Sequence, residues 1–209
     1  MSTVTAIQRL ARRRRADVSF EDGTALSLGL DLIVERGLAV GATLTPVQRR
    51  DLETEDQRRL AVAGALRLLA AHPRSEKDLR QRLRRRGLPP PAVDAAVERM
   101  KELGYLNDTA FARFWVDSRQ AATPRSRRYV SFELQRQGVD RETAEEAVAD
   151  IADVDVAYDA AQRRLRALRG LDRPAFERRL GAFLSNRGFG YGVARQVIDR
   201  CWSEQAAGE

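Results

Sequence analysis

Apolar and polar side chains alternate along the first part of the chain. Residues 18–20 (Val-Ser-Phe) and 26–28 (Leu-Ser-Leu) alternate on either side of Asp22-Gly23. Because glycine readily adopts the positive φ of a tight turn, this pattern predicts a β-hairpin. A two-stranded ribbon is marginally stable in water, so we expect a further strand around residues 4–10 to join it.

Downstream of the hairpin the pattern becomes helical. Residues 30–36 are predicted to form a short helix that ends at Gly37, and a domain boundary is expected near residue 50. From Thr54 onward, apolar residues recur at three- and four-residue steps. Within residues 58–71 these steps place the following residues along one helix face: Leu60, Ala63, Leu66 and Leu69 or Ala70.

Two further helices are predicted between residues 72 and 104. His72-Pro73 ends the first helix, and Ser75 has the side chain and position of an N-cap. The second helix is expected to run to Gly87. The third is expected over residues 91–103, because proline is tolerated in a first helical turn and Gly104 follows.

The same pattern recurs twice more. Gly87, Gly138 and Gly188 lie 51 and 50 residues apart, each where a helix end favours a left-handed residue. Apolar residues occupy the same five positions around each glycine, eight and four residues before it and one, six and ten residues after it. They are Leu79, Leu83, Leu88, Val93 and Val97, then Val130, Leu134, Val139, Ala144 and Val148, then Leu180, Leu184, Phe189, Ala194 and Ile198.

We therefore predict a mainly α-helical protein made of three tandem three-helix repeats behind a small β element. The leading helix of the second repeat should begin at Asn107 or Asp108, and that of the third should span residues 154–168. Stacking such units in a line predicts an elongated, curved molecule. The expected divisions are 1–50 for the β-hairpin and short helix, and 54–104, 105–152 and 153–205 for the repeats.

Composition and charge narrow the functional classes. The 209 residues include 43% hydrophobic and 32% charged side chains, which favours a folded protein over a disordered one. A net charge of +7 makes an acidic surface or nucleic acid a plausible partner. However, 35 of the 37 basic residues are arginine, a skew that a GC-rich genome alone would produce. The placement of the charges is therefore more informative than their number.

Enzymatic and metal chemistry find little support in the sequence. With one cysteine (Cys201) and one histidine (His72), internal disulfides and structural zinc sites are excluded. We find no P-loop and no G-x-S-x-G motif, and no apolar run of about 20 residues for a membrane helix. We expect a cytoplasmic protein that is not an enzyme, with no catalytic residues, no cofactor and no bound metal.

Basic residues recur in register with the repeats. Ten residues before the three glycines lie Lys77, Arg128 and Arg178, on the helix side opposite the core. Arg85 and Arg136 match each other two residues before their glycines. Regular cations on a repeat scaffold suit an anionic polymer or a helical filament, so these five are our candidate partner-binding residues. A solvated arginine-rich face produced by codon usage explains the same positions equally well.

Other features of the second repeat and the β element are also candidates. Phe132 lies roughly opposite Val130 and Leu134 on the helical wheel, so it either contacts a neighbouring repeat or forms an exposed aromatic contact for a partner. Arg125, Arg127 and Arg128 are bunched at the start of the same helix. The densest basic run, residues 12–15, lies beside the hairpin and is either a phosphate contact or a solvated strand end.

Several short motifs, in order and spacing, resemble the RecX regulatory proteins of bacteria. The hairpin around Asp22-Gly23 is also similar to an extension that many longer members carry. Ser126 lies where many members have glycine, and Tyr129 where a basic residue is frequent. The matching stretches are Leu68-Leu69, Pro73-Arg74-Ser75-Glu76, Leu79 and Leu83, Leu103-Gly104-Tyr105-Leu106-Asn107-Asp108, Phe111-Ala112, Ser126-Arg127-Arg128, Glu133-Leu134 and Gly138-Val139.

The resemblance implies a non-enzymatic modulator of the RecA recombinase. Members of the family commonly inhibit strand exchange, ATPase and coprotease activity, and are thought to lie in the groove of the RecA filament on single-stranded DNA. It implies a role in DNA repair and the SOS response, with DNA contacted directly or through the filament. We expect this chain to act as a monomer.

Two alternatives stay open at this point. The three-helix units are compatible with direct DNA binding in a helix-turn-helix-like manner, which would place one helix of a unit in a groove. A purely structural adaptor is the other possibility.

Overall fold

A computed structural model describes residues 1–11 and 14–207 of the chain, and it is mainly helical. Arg12 and Arg13 of the basic run lie outside the described residues. Four strands form an antiparallel sheet in the order β3-β2-β1-β4. They are β1 Ser2–Arg9, β2 Arg15–Phe20, β3 Ala25–Gly29 and β4 Thr43–Leu44. The hairpin and the joining strand are confirmed, whereas β4 was not predicted because two residues show no alternation.

The described residues contain ten α-helices. A 3₁₀ turn, Arg166–Leu168, continues α8. The helices are α1 Leu30–Glu35, α2 Pro46–Ala71, α3 Glu76–Arg85, α4 Pro90–Glu102, α5 Asp108–Ala122, α6 Arg127–Gln137, α7 Arg141–Ala147, α8 Asp153–Leu165, α9 Arg173–Ser185 and α10 Tyr191–Ala207. The predicted arrangement of three consecutive three-helix repeats is confirmed, as α2–α4, α5–α7 and α8–α10.

The chain divides into two compact units. The first comprises Met1–His72 and Leu79–Tyr105, and the second comprises Pro73–Asp78 and the chain from Leu106 onward. Helix α2 runs unbroken through residue 50, where the sequence predicts a boundary, and residues on both sides of it belong to the first unit. The helix begins early because Thr45 and Gln48 form a capping box that satisfies its first amide groups.

The sheet packs on helices α1 and α2 in the first unit. Asp56 of α2 is only 4% exposed, yet its carboxylate accepts hydrogen bonds from Arg15 on β2 (2.7 Å) and from the amide of Gly29 on β3 (2.7 Å). A buried charge is tolerated when it is paired in this way, so Asp56 connects the sheet to the helix. The surrounding core consists of Val4, Ala16, Val18, Phe20, Leu28, Leu32, Ile33, Leu44 and Leu52.

The predicted apolar face of α2 is not its buried face. Leu60 and Leu66 are 36% and 40% exposed, whereas the buried residues in this part of the helix are Ala61, Gly64, Ala65 and Leu68. Helix α2 packs along α4, and a Cβ added at Gly64 would approach Leu83 of α3 within 3.1 Å. Close helix packing selects small residues, so counting large apolar residues identifies the wrong side.

The apolar positions shared by the repeats are core positions. Of the fifteen aligned residues, all are buried except Leu88, which is half-buried. Gly87, Gly138 and Gly188 have φ angles of 79°, 95° and 86°, the left-handed conformation expected at a helix end. The repeat register inferred from the sequence is therefore confirmed.

The third repeat departs from the other two at the start of its middle helix. Helix α9 begins at Arg173, four residues earlier in the repeat than α3 and α6. The extra turn brings Phe176 to the position that Ser75 and Ser126 hold in the first two repeats. Phe176 is fully buried and its ring lies 5.2 Å from that of Trp202. The third repeat thus uses an aromatic core contact where the others have a serine cap.

Candidate partner-binding surface

The N-terminal turn of α3 is bonded to the second repeat. The Ser75 hydroxyl donates to the carbonyl of Gln137 (2.5 Å) and accepts the amide of Asp78 (3.2 Å). The amide of Glu76 donates to Asp108 at the start of α5 (2.9 Å). We call this set of contacts the first joint. It explains why residues 73–78 belong to the second unit.

An equivalent second joint links the middle and third repeats. The amide of Ser126 donates to the carbonyl of Arg187 (3.1 Å), and the Ser126 hydroxyl accepts the amide of Tyr129 (3.2 Å). The amide of Arg127 donates to Asp153 at the start of α8 (2.7 Å). In both joints, an aspartate from the next repeat accepts an amide that the helix start leaves unsatisfied.

Two of the three aligned glycines are required by these joints as well as by helix termination. A Cβ added at Gly138 would overlap the side-chain carbons of Lys77, and one at Gly188 would lie 2.7 Å from Ser126 Oγ. Gly87 has no atom within 4 Å of an added Cβ. At Gly138 and Gly188, the glycine that ends a helix therefore also lies where two repeats approach each other closely.

All five predicted partner-binding residues are exposed. Lys77, Arg128, Arg136 and Arg178 belong to the second unit and Arg85 to the first. No ion pair involves any of the five within residues 1–11 and 14–207. Several other arginines are held by carboxylates, such as Arg173 by Glu177 (2.8 Å). The five are thus available to an external anion.

The structure brings two of the five together around an aromatic ring. Arg128, Phe132 and Arg136 are spaced four residues apart on α6 and share one face. Phe132 is 57% exposed, and the guanidinium of Arg136 lies 5.9 Å from its ring centroid. The ring of Phe132 is therefore exposed, and its contact with a partner stays a prediction.

A cleft between the middle and trailing helices changes character from repeat to repeat. In the second repeat it has a volume of about 510 Å³ and is lined by Phe132, by three arginines and by two carboxylates: Arg127, Arg128, Arg141, Glu145 and Asp153. In the third repeat the equivalent cleft, about 300 Å³, is lined largely by Gly181, Phe189, Tyr191, Ala194 and Ile198. In the first, Arg80 and Asp94 form an ion pair at the equivalent positions. Among the three, the cleft of the second repeat has an excess of one arginine over carboxylates.

Three arginines gather near the second joint. The guanidinium of Arg125 lies 4.1 Å from the Tyr129 ring centroid. Those of Arg187 and Arg164 lie 3.8 Å and 5.9 Å from the Phe183 ring centroid. In the sequence, Arg125 stands out only as part of a basic run, and Arg164 and Arg187 do not stand out at all. The first and last of the three lie 62 positions apart. Their proximity arises from folding alone.

The described residues show few groups suited to covalent or metal chemistry. No cluster of three or more His, Cys, Asp or Glu side chains within them is placed to hold a metal ion. Cys201 is fully buried, and burial raises its pKa to about 11, which keeps it a thiol at neutral pH. His72 is exposed at the end of α2. Within the described helices, none is long and apolar enough to cross a membrane.

Comparison with solved structures supports this architecture. A crystal structure of regulatory protein RecX superposes with a TM-score of 0.68 at 18% identity, covering 95% of this chain and 100% of that one. RecX from Lactobacillus salivarius superposes with a TM-score of 0.63 at 18% identity, covering 70% of this chain and 97% of that one. Because the sequence identity is so low, these matches establish the fold and nothing about function.

Sequence comparisons identify the family. Models of the first, second and third three-helix domains of RecX match residues 61–100, 107–148 and 152–198. Regulatory protein RecX of Streptomyces coelicolor is 34% identical over 168 residues, covering 79% of this chain and 89% of that protein. The Thermobifida fusca protein of that name is 37% identical over 147 residues, covering 69% and 80%. The chain therefore belongs to the RecX family of regulatory proteins.

Proposed function

We propose that this chain binds the filament that the RecA recombinase forms on single-stranded DNA and inhibits its recombinase, ATPase and coprotease activities. It acts as a monomeric, non-enzymatic regulator of DNA repair and the SOS response in the cytoplasm. The family membership supports a regulatory role. One observation supports a repetitive target: Lys77, Arg128 and Arg178 occupy the same repeat position, and all three are exposed.

The charged groups of Lys77, Arg128 and Arg178 are free to bind a partner because none of them takes part in the contacts between repeats. The joints use backbone amides, serine hydroxyls and aspartates, while neighbouring arginines pair with carboxylates. The stem of Lys77 packs on Gly138, which fixes where its chain leaves the surface. A regulator that prefers one filament state shifts the filament towards that state, so binding alone suffices for inhibition.

The test is a triple charge reversal, Lys77→Glu with Arg128→Glu and Arg178→Glu. We expect binding to RecA-coated single-stranded DNA to weaken by about tenfold or more at low salt, because each reversal replaces attraction by repulsion. ATPase inhibition should weaken in parallel, with helicity by circular dichroism unchanged. The matched control reverses Arg67, Arg113 and Arg169, three other exposed arginines without an ion pair in the described structure. Equal loss in both triples would reject the repeated positions as the contact.

Direct binding to DNA is a second candidate, favoured by the α6 face that carries Arg128, Phe132 and Arg136. An exposed ring between two cations is the arrangement on which a base stacks while its phosphates are neutralised. Titrating the protein against bare and RecA-coated single-stranded DNA separates the two functions. Tight binding to bare DNA, with no gain on the coated strand and no effect on ATPase, would favour this second candidate.

A further inference from the structure

The arginine cluster of Arg125, Arg164 and Arg187 lacks the carboxylates that hold other arginines in this chain. None of the three forms an ion pair within the described structure. The Nε atoms of Arg125 and Arg187 are buried and find no hydrogen-bond partner among the described residues. A buried donor left unsatisfied costs free energy, so the cluster is an unfavourable arrangement as it stands.

Repulsion adds to that cost. Burial lowers the pKa of the Arg187 guanidinium, and the positive charges of Arg125 and Arg164 lower it further. Arg15, which is also half-buried, shows the usual solution, because Asp56 pairs with it at 2.7 Å. At the cluster three like charges converge without such a partner. An anion bound to the accessible guanidinium nitrogens would relieve the repulsion.

The cluster is held in place by the second joint. The backbone of Arg187 accepts the Ser126 amide (3.1 Å), and the carbonyl of Arg125 accepts the Gln120 side chain (3.0 Å). Arg125 Nη1 also donates to the carbonyl of Asn186 (3.2 Å). The main chain of Arg125 and of Arg187 is therefore fixed before any ligand arrives, and so is the guanidinium of Arg125. Such preorganisation lowers the entropic cost of binding.

We propose that Arg125, Arg164 and Arg187 form a binding site for a phosphate group. A tetrahedral phosphate offers oxygens in several directions and satisfies three guanidinium groups at once, whereas a carboxylate matches a single guanidinium fork. Tyr129 and Phe183 already stack on arginines of the cluster, so these rings orient the cations. The phosphate belongs either to a nucleic-acid backbone or to a free phosphate, and the site does not depend on the recombinase proposal.

The experiment compares the full-length protein with Arg164→Gln. The Arg164 side chain is exposed and makes no hydrogen bond or ion pair in the described structure, so replacing it should leave the fold intact. Arg163→Gln is the matched control, because it removes an equal charge from the neighbouring exposed position of α8. Melting temperature is measured in inorganic phosphate and in sodium chloride of equal ionic strength. Affinity for a fluorescent single-stranded oligonucleotide is measured in parallel.

Inorganic phosphate at ten times its dissociation constant should raise the melting temperature of the wild type and of Arg163→Gln by about 3 °C over chloride. Arg164→Gln should lose this response, and in chloride it should melt no lower than the control because repulsion is relieved. About tenfold weaker oligonucleotide binding by Arg164→Gln alone assigns the phosphate to a nucleic acid. Unchanged oligonucleotide binding with a lost phosphate response assigns it to a free phosphate. No phosphate response in the wild type, or equal responses in both variants, would overturn the proposal.

Discussion

The two joints of the second unit share a backbone plan and differ in the side chains around it. In the first, Ser75 reaches Gln137 through its hydroxyl, and the stem of Lys77 covers Gly138. In the second, Ser126 reaches Arg187 through its amide, and Tyr129 covers Gly188. Both keep an aspartate that accepts a free helix amide. The comparison shows which parts of a joint are fixed by geometry and which are free to carry charge.

The largest expected effect comes from removing the close approach in either joint. Gly138→Ala and Gly188→Ala should each lower the free energy of unfolding by about 3 kcal/mol, because a strained positive φ adds to a steric overlap. Gly87→Ala has the same backbone strain with open space around the Cβ, so it should cost about 1 kcal/mol. Urea denaturation measures all three. Equal losses at the three glycines would show that the joints are not tightly packed.

The next largest loss of stability is expected from the aspartate that each joint contains, tested at Asp153 of the second joint. Asp153→Ala removes the acceptor of the Arg127 amide and should cost about 1.5 kcal/mol. Asp155→Ala lies in the same first turn of α8, so it loses the same favourable charge at a helix start. It should cost less than about 0.5 kcal/mol, since Asp155 is exposed. Thermal and urea unfolding measure both variants. Equal losses of stability in the two would argue against the second joint.

Replacing the serine of each joint should lower stability by different amounts. Ser75→Ala loses both its helix cap and its bond to Gln137, whereas Ser126→Ala loses the cap but keeps its backbone bond to Arg187. We expect the first variant to be less stable than the second by about 1 kcal/mol. The same urea series provides the measurement. The reverse order would mean that the Ser75 hydroxyl contributes little across the first joint.

The smallest effect on stability is expected at Phe132, whose equivalents are Gln81 in the first repeat and Ala182 in the third. Phe132→Ala should change the free energy of unfolding by less than about 0.5 kcal/mol because the ring is 57% exposed. Binding to the partner should weaken by about tenfold if this ring is a contact. Phe114→Ala, at a ring 47% exposed on α5, is the control in the same binding assay. Equal binding by both variants would show that Phe132 does not contact the partner.

Much of the helical part could be predicted from the sequence because its signals are local. Gly87, Gly138 and Gly188 mark helix ends, and the apolar residues around them mark the core. The prediction of Ser75 at a helix start is confirmed, since its hydroxyl accepts the amide of Asp78. These predictions need only the periodicity of a helix and the conformational freedom of glycine.

What the sequence did not predict depends on contacts between distant residues. The buried side of α2 carries Ala61, Gly64 and Ala65 because α4 and Leu83 of α3 pack against it, and no local pattern shows this. The exposure of the five candidate cations agrees with the helical wheel, yet their role stays a prediction. Arg164 and Arg187 have no distinguishing neighbours in the sequence, and only the folded second unit brings them together.

The early start of α9 determines how far the repeat plan can be extended. A fourth repeat placed after the third would form a joint only if the third repeat had a serine at the start of its middle helix. Phe176 occupies that position, and α9 begins one turn before it. A duplicated copy of residues 105–152 inserted between the second and third repeats would find compatible partners on both sides, whereas the same copy appended after the third would not. Protein engineers who wish to lengthen the array should therefore splice internally.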